Sequence, residues 1–191
     1  MEQEYIEGKI FNKENFTQNP LKKASYENCT FTDCDFSNAD LAQIKFSDCG
    51  FTGCNLSLAK LANTAFRDVR FRECKMLGLL FENCNKFGLS FSFDKCNLNH
   101  SSFYQTKIKN TKFKDSQIQE VDFTESDLSN SVFENCDLTQ ATFQHSIMEK
   151  ADFSTSYNYS IDPDINRIKK TRFSTAGLAG LLDKYDIDIT D

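Results

Sequence analysis

Tryptophan is absent from this chain, and proline (two copies) and glycine (seven) are scarce. So little of either leaves no linker and no low-complexity tract. Histidine occurs only at His100 and His145. Long apolar runs are missing too. No stretch approaches the roughly 18 apolar residues of a membrane span, so no membrane partner is expected. The opening residues, MEQEYIEGK, carry neither a basic n-region nor an apolar h-region. A secretory signal is not expected there, and a cytoplasmic location is. No glycine-rich phosphate loop and no nucleophile signature occurs, so neither an enzyme nor a cofactor is expected.

What the chain does have is phenylalanine, 19 copies in 191 residues. A chain of this length fits one domain with a real core. Its net charge is −6. That disfavours a nucleic-acid partner held by neutralised phosphates. The charge is uneven. Residues 115–153 hold nine acids (Asp115, Glu120, Asp122, Glu125, Asp127, Glu134, Asp137, Glu149 and Asp152) against one base, Lys150. The tail from Ser154 is nearly balanced, and the first 114 residues are slightly basic.

A large apolar residue recurs every five positions. One series runs from Phe11 through Phe16, Leu21, Tyr26 and Phe31 to Phe81, blurs at Lys86, and resumes at Phe91. A second series, two residues out of phase, runs from Phe93 through Leu98, Phe103 and Ile108 to Phe153. Of the 19 Phe, only Phe87 and Phe173 lie on neither. Two residues before each large residue sits a small one, and all eight cysteines occupy this place. Between the two, Asp or Asn is frequent, as at Asp40, Asn55 and Asp152.

A period of five fits neither an α-helix nor a simple alternating strand. It requires a chain whose direction resets every five residues, and four resets close a square of 20. The small and large residues point in, and the one between them points out. Stacked coils then pair as parallel strands about 4.8 Å apart. In the second series Phe alternates with Leu, Ile or Met, which places Phe on two opposite walls. The acids Asp122, Asp127, Asp137 and Asp152 then occupy all four walls.

The stretches Asn38-Ala39-Asp40-Leu41, Cys54-Asn55-Leu56, Cys136-Asp137-Leu138 and Lys150-Ala151-Asp152-Phe153 resemble the pentapeptide-repeat family, whose pattern is roughly A-(D/N)-L-x-x. The resemblance covers residues 9–154. It implies an all-β, right-handed quadrilateral β-helix of about seven coils, some 34 Å long at the strand spacing. Residues 84–92 absorb a two-residue insertion as a bulge or small loop.

The extension 157–191 breaks the five-residue rule. Asp162-Pro163 marks a turn, and Ser174 can cap a helix running over 174–185. Leu178, Leu181, Leu182 and Tyr185 form one apolar stripe on it, and Gly177 and Gly180 allow close approach to another surface. The stripe either covers the end of its own core or joins two copies. Related pentapeptide-repeat proteins pair end to end through this region, so a homodimer is what the resemblance implies.

Cys29, Cys34, Cys49 and Cys54 form two C-x4-C pairs 20 residues apart. Four thiolates so placed could suggest zinc. Each stands where Ala or Ser also serves, so they read as small buried hydrophobes and no metal is expected. Both histidines fall two residues after a large residue, at the corners.

The expected function is therefore a non-catalytic rod that presents a surface to a protein partner. Relatives of the Qnr type bind bacterial gyrase or topoisomerase IV by mimicking DNA and blunt quinolone action. The resemblance thus offers a type II topoisomerase as partner, with the acidic block as the surface.

Overall fold

The computed structural model describes residues 4–190. Its chain turns a corner at each repeat, two residues after the large residue. At most corners the backbone takes positive φ, as at Asn28 (51°), Asp33 (53°), Asn38 (57°) and Asn130 (59°). Asn and Asp tolerate this left-handed region better than other side chains, which explains their frequency at corners. His100 (62°) and His145 (55°) are corner residues too, and both are exposed.

The outward Asp or Asn of the repeat has a separate task. Its side-chain oxygen accepts the N–H of the residue two further on, as Asp35 does from Ser37 (2.9 Å), Asp122 from Thr124 (2.8 Å) and Asp152 from Ser154 (2.9 Å). This turn gives the amide just before the corner its partner, while the corner amide itself bonds the next coil, as Asn38 N–H does to the Ser57 carbonyl at 2.9 Å.

Four walls result, numbered here in chain order. The first begins with a four-stranded parallel sheet of Tyr5–Glu7, Ser25–Glu27, Lys45–Ser47 and Ala65–Arg67. The second is a seven-stranded parallel sheet running from Ile10–Asn12 to Val132–Glu134. The third and fourth are held by single bridges, such as Asn15 to Asp35 and Ser102 to Asp122. Pairing advances by 20 residues per coil. Between Val69–Phe91 and Leu80–Ser102 it advances by 22, which is where the insertion is absorbed.

The core is a set of stacked columns. On the second wall nine rings (Phe11, Phe31, Phe51, Phe71, Phe93, Phe113, Phe133, Phe153 and Phe173) lie one over the next, with centroids 4.5–5.7 Å apart. On the fourth wall Phe81, Phe103, Phe123 and Phe143 stack likewise. The two columns meet edge to face through the centre, Phe103 against Phe113 at 6.0 Å and 90°, Phe123 against Phe133 at 5.8 Å and 89°. Offset stacking along the rod and edge contacts across it are the two arrangements that ring quadrupoles favour. The alternation read from the second series therefore places Phe on opposite walls, as expected.

The small inward position is a donor position. Ser101, Ser131, Ser146 and Ser156 each donate a hydroxyl to a backbone carbonyl of the neighbouring coil. Cys49, Cys54 and Cys74 reach the equivalent carbonyls, each 23 residues back, at 3.4–3.5 Å. Thiol and hydroxyl exchange freely here because both are small and both can donate.

The C-terminal segment differs from expectation. No α-helix spans 174–185. Two short 3-10 turns, Leu178–Leu181 and Asp183–Tyr185, stand in its place. Ser174 does act at the start, its Oγ accepting the Gly177 N–H at 3.1 Å. The reason is packing. A Cβ on Gly177 would lie 1.8 Å from Tyr159 Oη, and one on Gly180 2.0 Å from the Tyr159 carbonyl oxygen. The Gly180 carbonyl accepts from Ile161 N–H at 2.8 Å instead of continuing a helix. Two glycines in so short a segment also weaken helix propagation. The segment lies over the end of its own core, with Leu181 packed against it. Lys184 pins it down through Asp162 and Asp164.

Candidate interaction surface

The interior is filled by side chains, so whatever this molecule contacts, it contacts on its walls and ends. All nine acids of 115–153 point outward and are half-buried or exposed. Bridge partners put Asp122 on the fourth wall, Asp127 on the first, Asp137 on the third and Asp152 on the second. The acids do not form one stripe.

Their surroundings divide them. On the first wall Asp127 meets Lys109 at 3.0 Å and Glu149 meets Arg167 at 2.6 Å. On the second, Glu134 meets Lys112 at 3.1 Å and Asp152 meets Arg172 at 2.9 Å. Such exposed pairs add little stability, but they cancel the local field. Burial works against the Asp127 charge, yet hydrogen bonds from Ser129 and Lys109 hold its carboxyl below the ordinary carboxylate range. At Asp152 the Ser154 contacts and Arg172 likewise outweigh partial burial. The Lys112 contact does the same for Glu134.

The third and fourth walls are different. Asp115, Glu120, Asp122, Glu125 and Asp137 have no Lys or Arg ion pair among the described residues. Their partners are neutral or imidazole groups: Asn135 for Asp115, His100 at 3.2 Å for Glu120, Gln105 at 2.8 Å for Glu125. Asp137 takes hydrogen bonds from Thr139, Gln119 and Asn158, which against partial burial keep its carboxyl low. Within 115–153 the acids without a basic partner therefore lie on two adjoining walls and their corners.

Sequence reading missed the counterpart. Residues 67–114 hold ten bases against four acids. Folding gathers Arg67, Lys107 and Lys109 onto the first wall and Arg70, Arg72, Lys112 and Lys114 onto the second. Counting charge in blocks of 20 rather than over 114 residues would have found this belt. The insertion beside it exposes Phe87, 78% accessible, with the Arg67 guanidinium 5.5 Å from its ring.

The terminal stripe is only partly covered. Leu181 faces the core, while Leu178, Leu182 and Tyr185 are exposed. The four cysteines weighed as zinc ligands lie on neighbouring walls of adjacent coils, each buried with its Sγ directed at backbone carbonyls. Among the described residues no group of three or more His, Cys, Asp or Glu is placed to hold a metal ion. No helix among them is long and apolar enough to cross a membrane.

The pentapeptide repeat region family matches residues 24–91 and 79–153, more than half of the chain. The chain is a pentapeptide-repeat protein. The rod is similar to QnrB1, a plasmid-mediated fluoroquinolone resistance protein, in a trypsin-treated form at 16% identity and in its full-length form at 17%, each with a TM-score of 0.64. The first comparison covers 99% of this chain and 100% of that one, the second 96% and 100%. At this identity the likeness establishes the fold, a right-handed quadrilateral β-helix, and nothing beyond it. HetL, a pentapeptide repeat protein involved in heterocyst differentiation regulation in the cyanobacterium Nostoc sp. strain PCC 7120, is a weaker match at 11% identity and a TM-score of 0.45, over 91% of this chain and 86% of that one. No curated protein matches the sequence.

Proposed function

We propose that this pentapeptide-repeat rod is a non-catalytic protein-interaction module. One observation carries the reading: the stacked ring columns fill the interior from Phe11 to Phe173, leaving four rigid outer walls. A catalytic site needs convergent groups in a water-shielded pocket. A protein partner needs only a rigid, ordered surface. Cross-linking of the purified rod to its partner in extracts of its own cells, followed by reconstitution from pure components, tests this. A measured turnover on any small molecule that survives purification would sink it.

A second reading is a DNA-mimicking ligand of a bacterial type II topoisomerase. It is favoured by the fold shared with QnrB1 and by the unneutralised acids of the third and fourth walls. Such a mimic would meet its target with two walls only. The test is supercoiling by a bacterial gyrase with the rod at micromolar concentration, with and without a quinolone. Inhibition, or relief of quinolone-induced cleavage, supports it. Unchanged supercoiling and unchanged cleavage remove it and leave the first reading in place.

A further inference from the structure

Across the fourth wall, starting from its edge with the third, apolar side chains stand where the repeat puts polar ones. Leu58 is a corner residue with φ of 58°, the one apolar side chain among the positive-φ residues described, and it is 58% accessible. A branched, bulky residue is the poorest choice for this backbone. Its side chain lies over the next corner, Gly78, where a Cβ would come within 2.8 Å of Leu58 Cδ2. Leu77 flanks that glycine, half-exposed, and Leu80 stands 47% accessible two residues on. Leu80 bridges to Ser102, two residues before Tyr104, itself 37% accessible. Four outward apolar residues thus adjoin on three successive coils.

Directly below them lie three of the unneutralised acids. Glu120 sits under the His100 corner, Asp122 pairs with Ser102, and Glu125 sits under Gln105. Gln105 ties this row to the apolar one, donating both to Tyr104 Oη (2.9 Å) and to Glu125 (2.8 Å). Two residues after Leu80, on the same coil, Glu82 keeps one carboxylate oxygen buried without a hydrogen-bond partner. Burial, and then the charge of Asp122, push its carboxyl above the ordinary range. An apolar centre with a charged margin is the anatomy of a docking surface. Here the margin is negative, apart from Lys60 and Lys75 at its upper edge.

We propose that this face docks a cationic amphipathic segment of the partner protein, its apolar side chains against Leu58, Leu80 and Tyr104 and its Lys or Arg over Glu120, Asp122 and Glu125. The inference rests on the interaction-rod reading and adds the face and the partner's chemistry to it.

The probe is a fluorescent peptide of about 14 residues with leucine at helical i, i+3, i+4, i+7 spacing and lysine at polar positions, against a scrambled peptide of equal composition. Anisotropy is expected to show the ordered peptide binding at least about tenfold more tightly than the scrambled one. Leu58→Asn with Leu80→Ser should abolish that preference. Because Asn suits a positive φ, the paired variant should stay folded by circular dichroism. The variant Glu120→Gln, Asp122→Asn, Glu125→Gln should weaken binding and flatten its salt dependence. Equal binding of both peptides, or unchanged binding by the leucine variant, overturns the proposal. So does self-association lost in the leucine variant with peptide binding intact, which would assign the face to a second copy. Either failure leaves the interaction-rod reading to its own cross-linking test.

Discussion

Each repeat position makes a specific demand on its side chain. The outward Asp or Asn closes its own turn, the corner tolerates positive φ, and the inward residue fits a narrow column where Ser, and several of the Cys, also donate to the coil before it. The cysteines illustrate the last demand. All eight are free and at most 5% accessible, and burial pushes Cys49 and Cys136 up to about 12. A thiol buried and protonated reacts slowly. An aromatic disulfide reagent is therefore expected to titrate no thiol quickly in the native rod and all eight in denaturant. Rapid native labelling of several thiols would contradict the inward column. Asp127→Asn should keep the fold by circular dichroism, because an amide oxygen closes the same turn with Ser129, and should lose only the modest stability carried by the charge beside Lys109.

A coil is stable only through its neighbours, as in repeat proteins generally. Phe123 and Phe133 are fully buried and stack on rings above and below. Truncating either to Ala is expected to cost about 3–5 kcal/mol in urea unfolding. Undiminished stability in both would refute the stacked columns. The five-residue period was enough to assign both residues to the interior, because inward direction follows from spacing alone. The tail was less legible. Its stripe Leu178, Leu181, Leu182 and Tyr185 has helical spacing, but Gly177 and Gly180 pack onto Tyr159, a contact that no local pattern announces.

The same coils set the response to acid. Asp127, Asp137 and Asp152 have folded pKa values below their ordinary ones. Their ionised forms favour the folded state, so their contribution is present above about pH 4, the unfolded value, and is lost as pH falls through the folded values. Melting temperature followed by circular dichroism should drop below about pH 4, and Asp137→Ala should shrink that drop. Glu82 works in the opposite sense, its raised pKa making the ionised form unfavourable in the fold. Glu82→Gln is expected to raise the melting temperature at pH 7 and to have little effect well below pH 4.

At the scale of the whole molecule, charge is divided across the rod axis. Positive side chains gather at mid-length on the first two walls, and unneutralised acids lie on the other two. The terminal residues Leu178, Leu182 and Tyr185 leave an apolar surface at one end. End-to-end pairing through that surface predicts a dimer by sedimentation velocity. Leu178→Ser with Leu182→Ser should return it to monomer without lowering the melting temperature, since neither side chain is buried. A wild-type monomer at tens of micromolar rules the pairing out.

By itself the sequence determined the square coil, its inward columns and the corners, because a strict period fixes direction residue by residue. It also determined that the acids lie on all four walls. Only the tertiary structure decided which of those acids meet a basic partner. Lys109 reaches Asp127, Lys112 reaches Glu134, Arg167 reaches Glu149 and Arg172 reaches Asp152 across coils about 20 residues apart, so neutralisation depends on stacking rather than on neighbours in the chain. For the same reason the face of Leu58, Leu80 and Tyr104 exists only once coils are stacked. Residues scattered over 47 positions of chain become one surface when each coil rises a single strand spacing.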